Sequence, residues 1–212
     1  MKLKEFELWA FKLATEEASA FSLFSRSVFA HFERHFEPVD TDGVYRVILK
    51  LCEEDSRLGT VEISSSVLKY YKRFNFASFG KLDEKTKKVT LLEIMYNSLL
   101  ELADIYEWDQ EKFHKAYIKV KHDDFINHYF HNEKWNRTKN LCAKVFCEHE
   151  SDVFRCSLLV LDKEGTVILK RVLFEEKPDE FFFNSKLVNV KWLDKGKLQL
   201  SNKVHSEEVE VA

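Results

Sequence analysis

A chain of 212 residues with 45% apolar and 33% charged side chains can bury a sizeable core, which excludes an intrinsically disordered protein. Its 36 acidic and 33 basic residues leave a net charge of −3, so the overall balance does not favour phosphate-backbone binding. Charges at the start, Met1-Lys2-Leu3-Lys4-Glu5, argue against a signal peptide there, and no run reaches the ~18 apolar residues of a membrane helix.

In chain order, residues 3–12 read as a first strand. Residues 16–36 read as a helix, because Phe21, Phe24, Val28, Phe32 and Phe36 recur at three- and four-residue steps. Pro38 and Asp42-Gly43 end it. Strands are expected at 44–52, at 60–63 and within 67–79, together an antiparallel meander. A long helix should start at the N-cap Asp83, with Val89, Leu92, Tyr96, Leu99, Ala103 and Tyr106 on one stripe. Asp109 should cap a second helix with Phe113, Tyr117 and Val120 on one face. A third is expected from about Asp123 to Lys134, burying Phe125, Ile126, Tyr129 and Phe130.

From Lys139 onward the pattern is β. Strands at 141–148, 153–161, 167–174 and 187–193 are separated by turns, with Gly165 at a left-handed hairpin position. Asp194 to Lys197 turns the chain into 198–200, and residues 204–211 form a last edge strand. The expected class is therefore α+β: antiparallel meanders in the N- and C-terminal parts, a central run of about three helices, and one N-terminal helix. It reads as one domain, or as two packed parts divided at 136/137.

Cys52, Cys142, Cys147 and Cys156 form no CxxC pair and fall in apolar strand contexts. They read as buried thiols, which implies the reducing cytoplasm. GxSxG, P-loop and GxGxxG patterns are absent, so no cofactor is expected.

Four groups carry residue types capable of chemistry. His31 and His35 lie four apart on the first helix and share a face, the spacing that can hold a metal; the alternative is a pair of boundary histidines. His122 and Asp123 are adjacent, and with His114, Asp124, His128 and His131 nearby this segment resembles the HD metal-dependent phosphohydrolases, which implies a metal held by that pair. The alternative is a helix cap beside a polar face. Asp162, Glu175 and Lys177 have the spacing of a D…ExK nuclease site, or are loop charges in water. The stretch Lys72 to Phe79 resembles the RNP1 strand of RNA-recognition modules in its basic start and its phenylalanines, which would imply rings stacking on bases; a strand with its rings in the core is the alternative.

The reading with fewest demands is a non-enzymatic intracellular protein-binding protein. Dedicated protein inhibitors, such as the bacterial immunity proteins that neutralise a toxin, are of this type. Acidic clusters at Glu148, Glu150 and Asp152, at Glu175, Glu176, Asp179 and Glu180, and at Glu207, Glu208 and Glu210 would steer a basic partner. Trp108, Trp135 and Trp192 are candidate anchors. The first alternative is a metal-dependent nuclease or phosphohydrolase using His31, His35, His122 or Asp123. The second is RNA binding through residues 69–79. Another protein is the expected partner; nucleic acid and membrane are not.

Overall fold

The computed structural model describes residues 1–194 and 196–211. These form two compact units, residues 1–126 and 127–212. Among the described residues are five helices and thirteen strands in four sheets, an α+β architecture.

The first unit begins with β1 (Lys2–Leu3) and β2 (Glu5–Ala10). Phe6, Leu8 and Ala10 face the core and alternate with Glu5, Glu7 and Trp9. Helix α1 (Thr15–His35) follows and buries Phe21, Val28, Phe29 and Phe32, the stripe its periodicity announces. After β3 (Val39–Asp40), which pairs with β1, the chain enters β4 (Arg46–Cys52). Next come β5 (Val61–Ser64) and β6 (Val67–Arg73), joined by Ser65 and Ser66, both at positive φ. Two consecutive left-handed residues make the tight turn whose twist suits a two-residue hairpin.

The sheet order is β2-β4-β6-β5, and the expectation of an antiparallel meander fails here. β2 and β4 run parallel because α1 carries the chain back between them. β6 inserts between β4 and β5, and so also runs parallel to β4; only β5 and β6 are antiparallel. The apolar strands β4 and β6 take the centre, and the short, partly charged β5 takes the edge.

β6 stops at Arg73, and Asn75 caps a short helix α2 (Phe76–Gly80) by accepting from the N–H of Ser78 at 2.8 Å. The strand expected within 67–79 therefore ends early. Asp83 caps α3 (Glu84–Tyr106), accepting from the N–H of Thr86 at 3.0 Å, and Asp109 caps α4 (Gln110–His122), both as the sequence indicates. Leu91, Leu92, Met95, Leu99, Leu102 and Ala103 of α3 join Phe113, Ala116 and Val120 of α4 in one core with α1 and the sheet.

Tyr70 on β6 donates its hydroxyl to Glu101 on α3, which also pairs with Lys72. Burial, then the Glu101 carboxylate, pushes the Tyr70 phenol up to about 12. The neutral phenol is thus favoured by folding. Its contribution is complete below the ordinary value of 10.0 and is lost as the pH rises through about 12. The stability obtained from urea unfolding should fall across that window by roughly 2–3 kcal/mol. Tyr70→Phe should remove that part of the alkaline dependence.

The third expected helix is absent. α4 ends at His122, and Asp124 and Phe125 both take positive φ, which breaks helical propagation. Residues beyond the turn form β7 (His128–Trp135), the first strand of the second unit. Of the apolar residues expected on one helical face, Phe125 is buried while Ile126 and Phe130 are exposed.

In the second unit, β7 is followed by β8 (Leu141–His149), β9 (Phe154–Asp162) and β10 (Val167–Glu176), an antiparallel meander in the order β10-β9-β8-β7. Gly165 takes φ +86° in the β9–β10 connection. A one-turn helix α5 (Glu180–Phe183) leads to a second meander of β11 (Asn189–Trp192), β12 (Lys197–Ser201) and β13 (Ser206–Glu210). Lys195, within the expected turn 194–197, lies outside the described residues. Val145, Phe154, Cys156, Leu158 and Val160 of the first sheet share a core with Phe183, Val190, Leu198, Leu200 and Val209. All four cysteines are buried and none is in a disulfide. Cys147 and Cys156 sit opposite each other on β8 and β9, and that neighbour together with burial pushes the Cys156 thiol up. No described helix is long and apolar enough to cross a membrane.

Candidate functional sites

Three residues that the sequence marks separately meet in the first unit. His31 and His35, one turn apart on α1, both point Nε2 at Asp123, the residue that ends α4. Their Nε2 atoms lie 3.4 and 3.3 Å from Asp123 Oδ2. The other oxygen, Oδ1, receives Lys119 Nζ at 2.7 Å and lies 3.3 Å from His122 Nδ1. One carboxylate thus has two distinct sides. His31 is buried, while the side chains of His35 and Asp123 each retain 24% exposure. His122 is largely in water and stands outside the group of three.

Burial, followed by the neighbouring His35, lowers the pKa of His31 to about 4. His35 is lowered too, mainly by burial. Both rings are therefore neutral near pH 7 and keep a nitrogen lone pair. Asp123 is held well below the usual carboxylate range, first by Lys119. The arrangement offers two imidazoles and one carboxylate oxygen.

The other chemical groups are not assembled. Asp162 accepts from the N–H of Thr166 in the β9–β10 turn, whereas Glu175 pairs with Arg155 seven residues back along β9. That separation is about 23 Å along a strand, so the D…ExK spacing forms no site. Phe74 and Phe79 are buried and Phe76 is partly buried, and all three pack edge-on or tilted around Phe21 and one another. No strand face presents them for base stacking.

The candidate partner residues fall in the second unit. Glu148 is partly buried on β8, 3.9 Å from Arg155; Glu150 Oε1 lies 2.6 Å from His128 Nε2; Asp152 is exposed in the turn. Two of these acids are thus engaged within the unit. Trp192 donates Nε1–H to the carbonyl of Lys134 at 2.9 Å, and Trp135 is 46% exposed. Trp108, in the first unit, is core.

A different feature stands out on this unit's surface. Phe181 is 86% exposed and meets Phe182 edge-on at 5.4 Å. Phe183, the next residue, is buried and stacks on Phe154 at 3.6 Å. Asp179 caps the turn by accepting from the N–H of Phe181 at 2.8 Å. The sequence displays three adjacent phenylalanines, but only the one-turn helix separates an inward ring from an outward one. No protein-family model matches the chain, and neither a curated protein nor a solved structure matches it.

Proposed function

We propose that the chain is a non-enzymatic protein-binding protein, of the kind that inhibits another protein as an immunity protein does a toxin, with Phe181 at the centre of its contact surface. The observation that carries this reading is the exposure of Phe181 on a rigid base. A single exposed apolar side chain is ordinary. Here, however, Phe183 anchors the same turn through its stack on Phe154, so the backbone that carries the outward ring is held in place before any partner arrives. An aromatic side chain has only two rotatable bonds to freeze on binding, which is why such rings serve as anchors.

Acids surround it. Glu175, Glu176, Asp179 and Glu180 outnumber Lys177 and Lys186 in the same stretch. Glu176 pairs with Lys186, and Lys177 lies over the Phe182 ring at 5.2 Å. The partner this fits has an apolar pocket rimmed by basic groups.

The test compares the full chain with Phe181→Ala/Phe182→Ala as affinity baits in extract of its own cells. A stoichiometric partner should bind the native chain and bind the variant roughly 30-fold more weakly, the loss typical of an aromatic anchor. Both side chains lie outside the core, so the variant should keep its circular-dichroism spectrum and melting temperature. A partner retained equally by both baits, or no stoichiometric partner, counts against the reading.

A further inference from the structure

We propose that His31, His35 and Asp123 bind one divalent ion of the zinc class, tetrahedrally, through the two Nε2 atoms and Asp123 Oδ2, with water in the fourth position. This is independent of the Phe181 surface, which lies in the other unit.

The distances at Asp123 are those a tetrahedral ion requires. A charge-assisted hydrogen bond between nitrogen and carboxylate oxygen spans about 2.7–2.9 Å. A tetrahedral ion with bonds of about 2.0–2.1 Å needs ligand-to-ligand edges of about 3.3–3.4 Å, and an octahedral ion with the same bonds about 2.8–3.0 Å. The two edges in the structure are 3.4 and 3.3 Å. They are longer than the hydrogen bond and the octahedral edge, and they match the tetrahedral one. One ligand atom from each residue lies within 4.8 Å of the others.

The scaffold fixes each ligand. His31 and His35 share a face of a 21-residue helix whose other faces are packed by Phe29 and Phe32. Asp123 is held at the end of α4 by its own N–H bonded to the Lys119 carbonyl at 3.0 Å, and the chain then turns into the buried Phe125. Its carboxylate is divided so that Lys119 and His122 occupy Oδ1 and leave Oδ2 to the histidines. A hydrogen-bonded outer oxygen of this sort orients a metal-bound carboxylate. Exposure of His35 and Asp123 opens one side of the group to water, which supplies the fourth ligand.

Two neutral imidazoles and one carboxylate form a borderline nitrogen–oxygen set, which suits zinc better than magnesium or calcium. The buried Nδ1 of His31 has no partner. With an ion on Nε2 the ring proton sits on Nδ1, so loading must give this buried N–H a partner, a cost set against the site. Lys119 Nζ and the nearby Arg34 are the cations facing the group, and they oppose the ion's charge. The ion's role would be mechanical. It would clamp the C-terminal half of α1 to the end of α4.

The experiment uses the full chain stripped with a chelator, then titrated with ZnCl2 by calorimetry and with CoCl2 by visible absorption. One equivalent of zinc should bind and raise the melting temperature, and one equivalent of Co(II) should give the intense visible bands of four-coordinate cobalt. His35→Ala and Asp123→Asn should each weaken zinc binding at least tenfold, and His114→Ala, an exposed histidine of α4 that contacts Tyr96 and none of the three ligands, should leave it unchanged. His35 and Asp123 are part-exposed, so those two variants should fold; buried His31 is left intact. No binding, weak six-coordinate cobalt bands, equal affinity in His35→Ala, or loss of binding in His114→Ala would each overturn the site.

Discussion

Replacing Phe154 with alanine should destabilise the second unit by about 3–5 kcal/mol, the usual cost of deleting a fully buried ring and leaving a cavity. Phe154 has no exposed surface and stacks on Phe183 at 3.6 Å with a 5° angle between rings. It also lies 6.1 Å from Phe174 and 5.5 Å from His149, so one side chain links β8, β9, β10 and α5. The surrounding strands cannot collapse on the void without breaking their ladder. Phe154→Leu retains most of the apolar volume and should cost about 1–2 kcal/mol. Urea unfolding followed by Trp fluorescence would give both values, and near-equal losses for the two variants would mean that ring stacking and volume are not what Phe154 supplies. Because α5 rests on this stack, Phe154→Ala should also loosen the Phe181 turn.

Glu33→Ala should cost about 3 kcal/mol through a different mechanism. Glu33 and Arg26 are two turns apart on α1 and form an ion pair whose side chains are under one-fifth exposed. Glu33 Oε1 accepts from the N–H of Phe6 at 2.7 Å, and Arg26 Nη1 donates to the Phe6 carbonyl at 3.2 Å. β2 is an edge of its sheet, so these side chains occupy backbone groups that no strand reaches. Removing the carboxylate leaves the Phe6 N–H without this acceptor and takes the counter-charge from a poorly hydrated guanidinium. Glu33→Gln keeps an acceptor and should lose about half as much. Equal losses for alanine and glutamine would show that charge, not the edge hydrogen bond, carries the effect; chemical denaturation of the three proteins decides it.

What the sequence determined by itself is local. The three- and four-residue recurrence of Phe21, Val28 and Phe32 fixed α1 and its buried face, because helical period is a property of neighbouring residues. Asp83 and Asp109 marked the starts of α3 and α4, since a cap satisfies N–H groups only two or three residues away. The C-terminal meanders were legible from alternation and turn chemistry, and His31 and His35 were legible as sharing a face.

Only the tertiary structure decided the rest. Alternation identifies a strand but carries no sign of its direction, so β4 and β6 read as a meander until β5 moved to the edge. The segment after His122 kept a helical spacing of apolar residues. Two left-handed residues and pairing to β8 outweighed it, because a distant strand supplied the hydrogen bonds that further helix would have made. Phe181, Phe182 and Phe183 are chemically identical neighbours, and packing on Phe154 alone determined which ring turned inward. His31 and Asp123 are separated by most of the first unit's chain, and it took the packing of α4 on α1 to bring two imidazoles and a carboxylate within an ion's reach. Spacing rules act over a few residues, whereas strand direction, exposure and ligand sets arise from contacts between segments far apart in the chain.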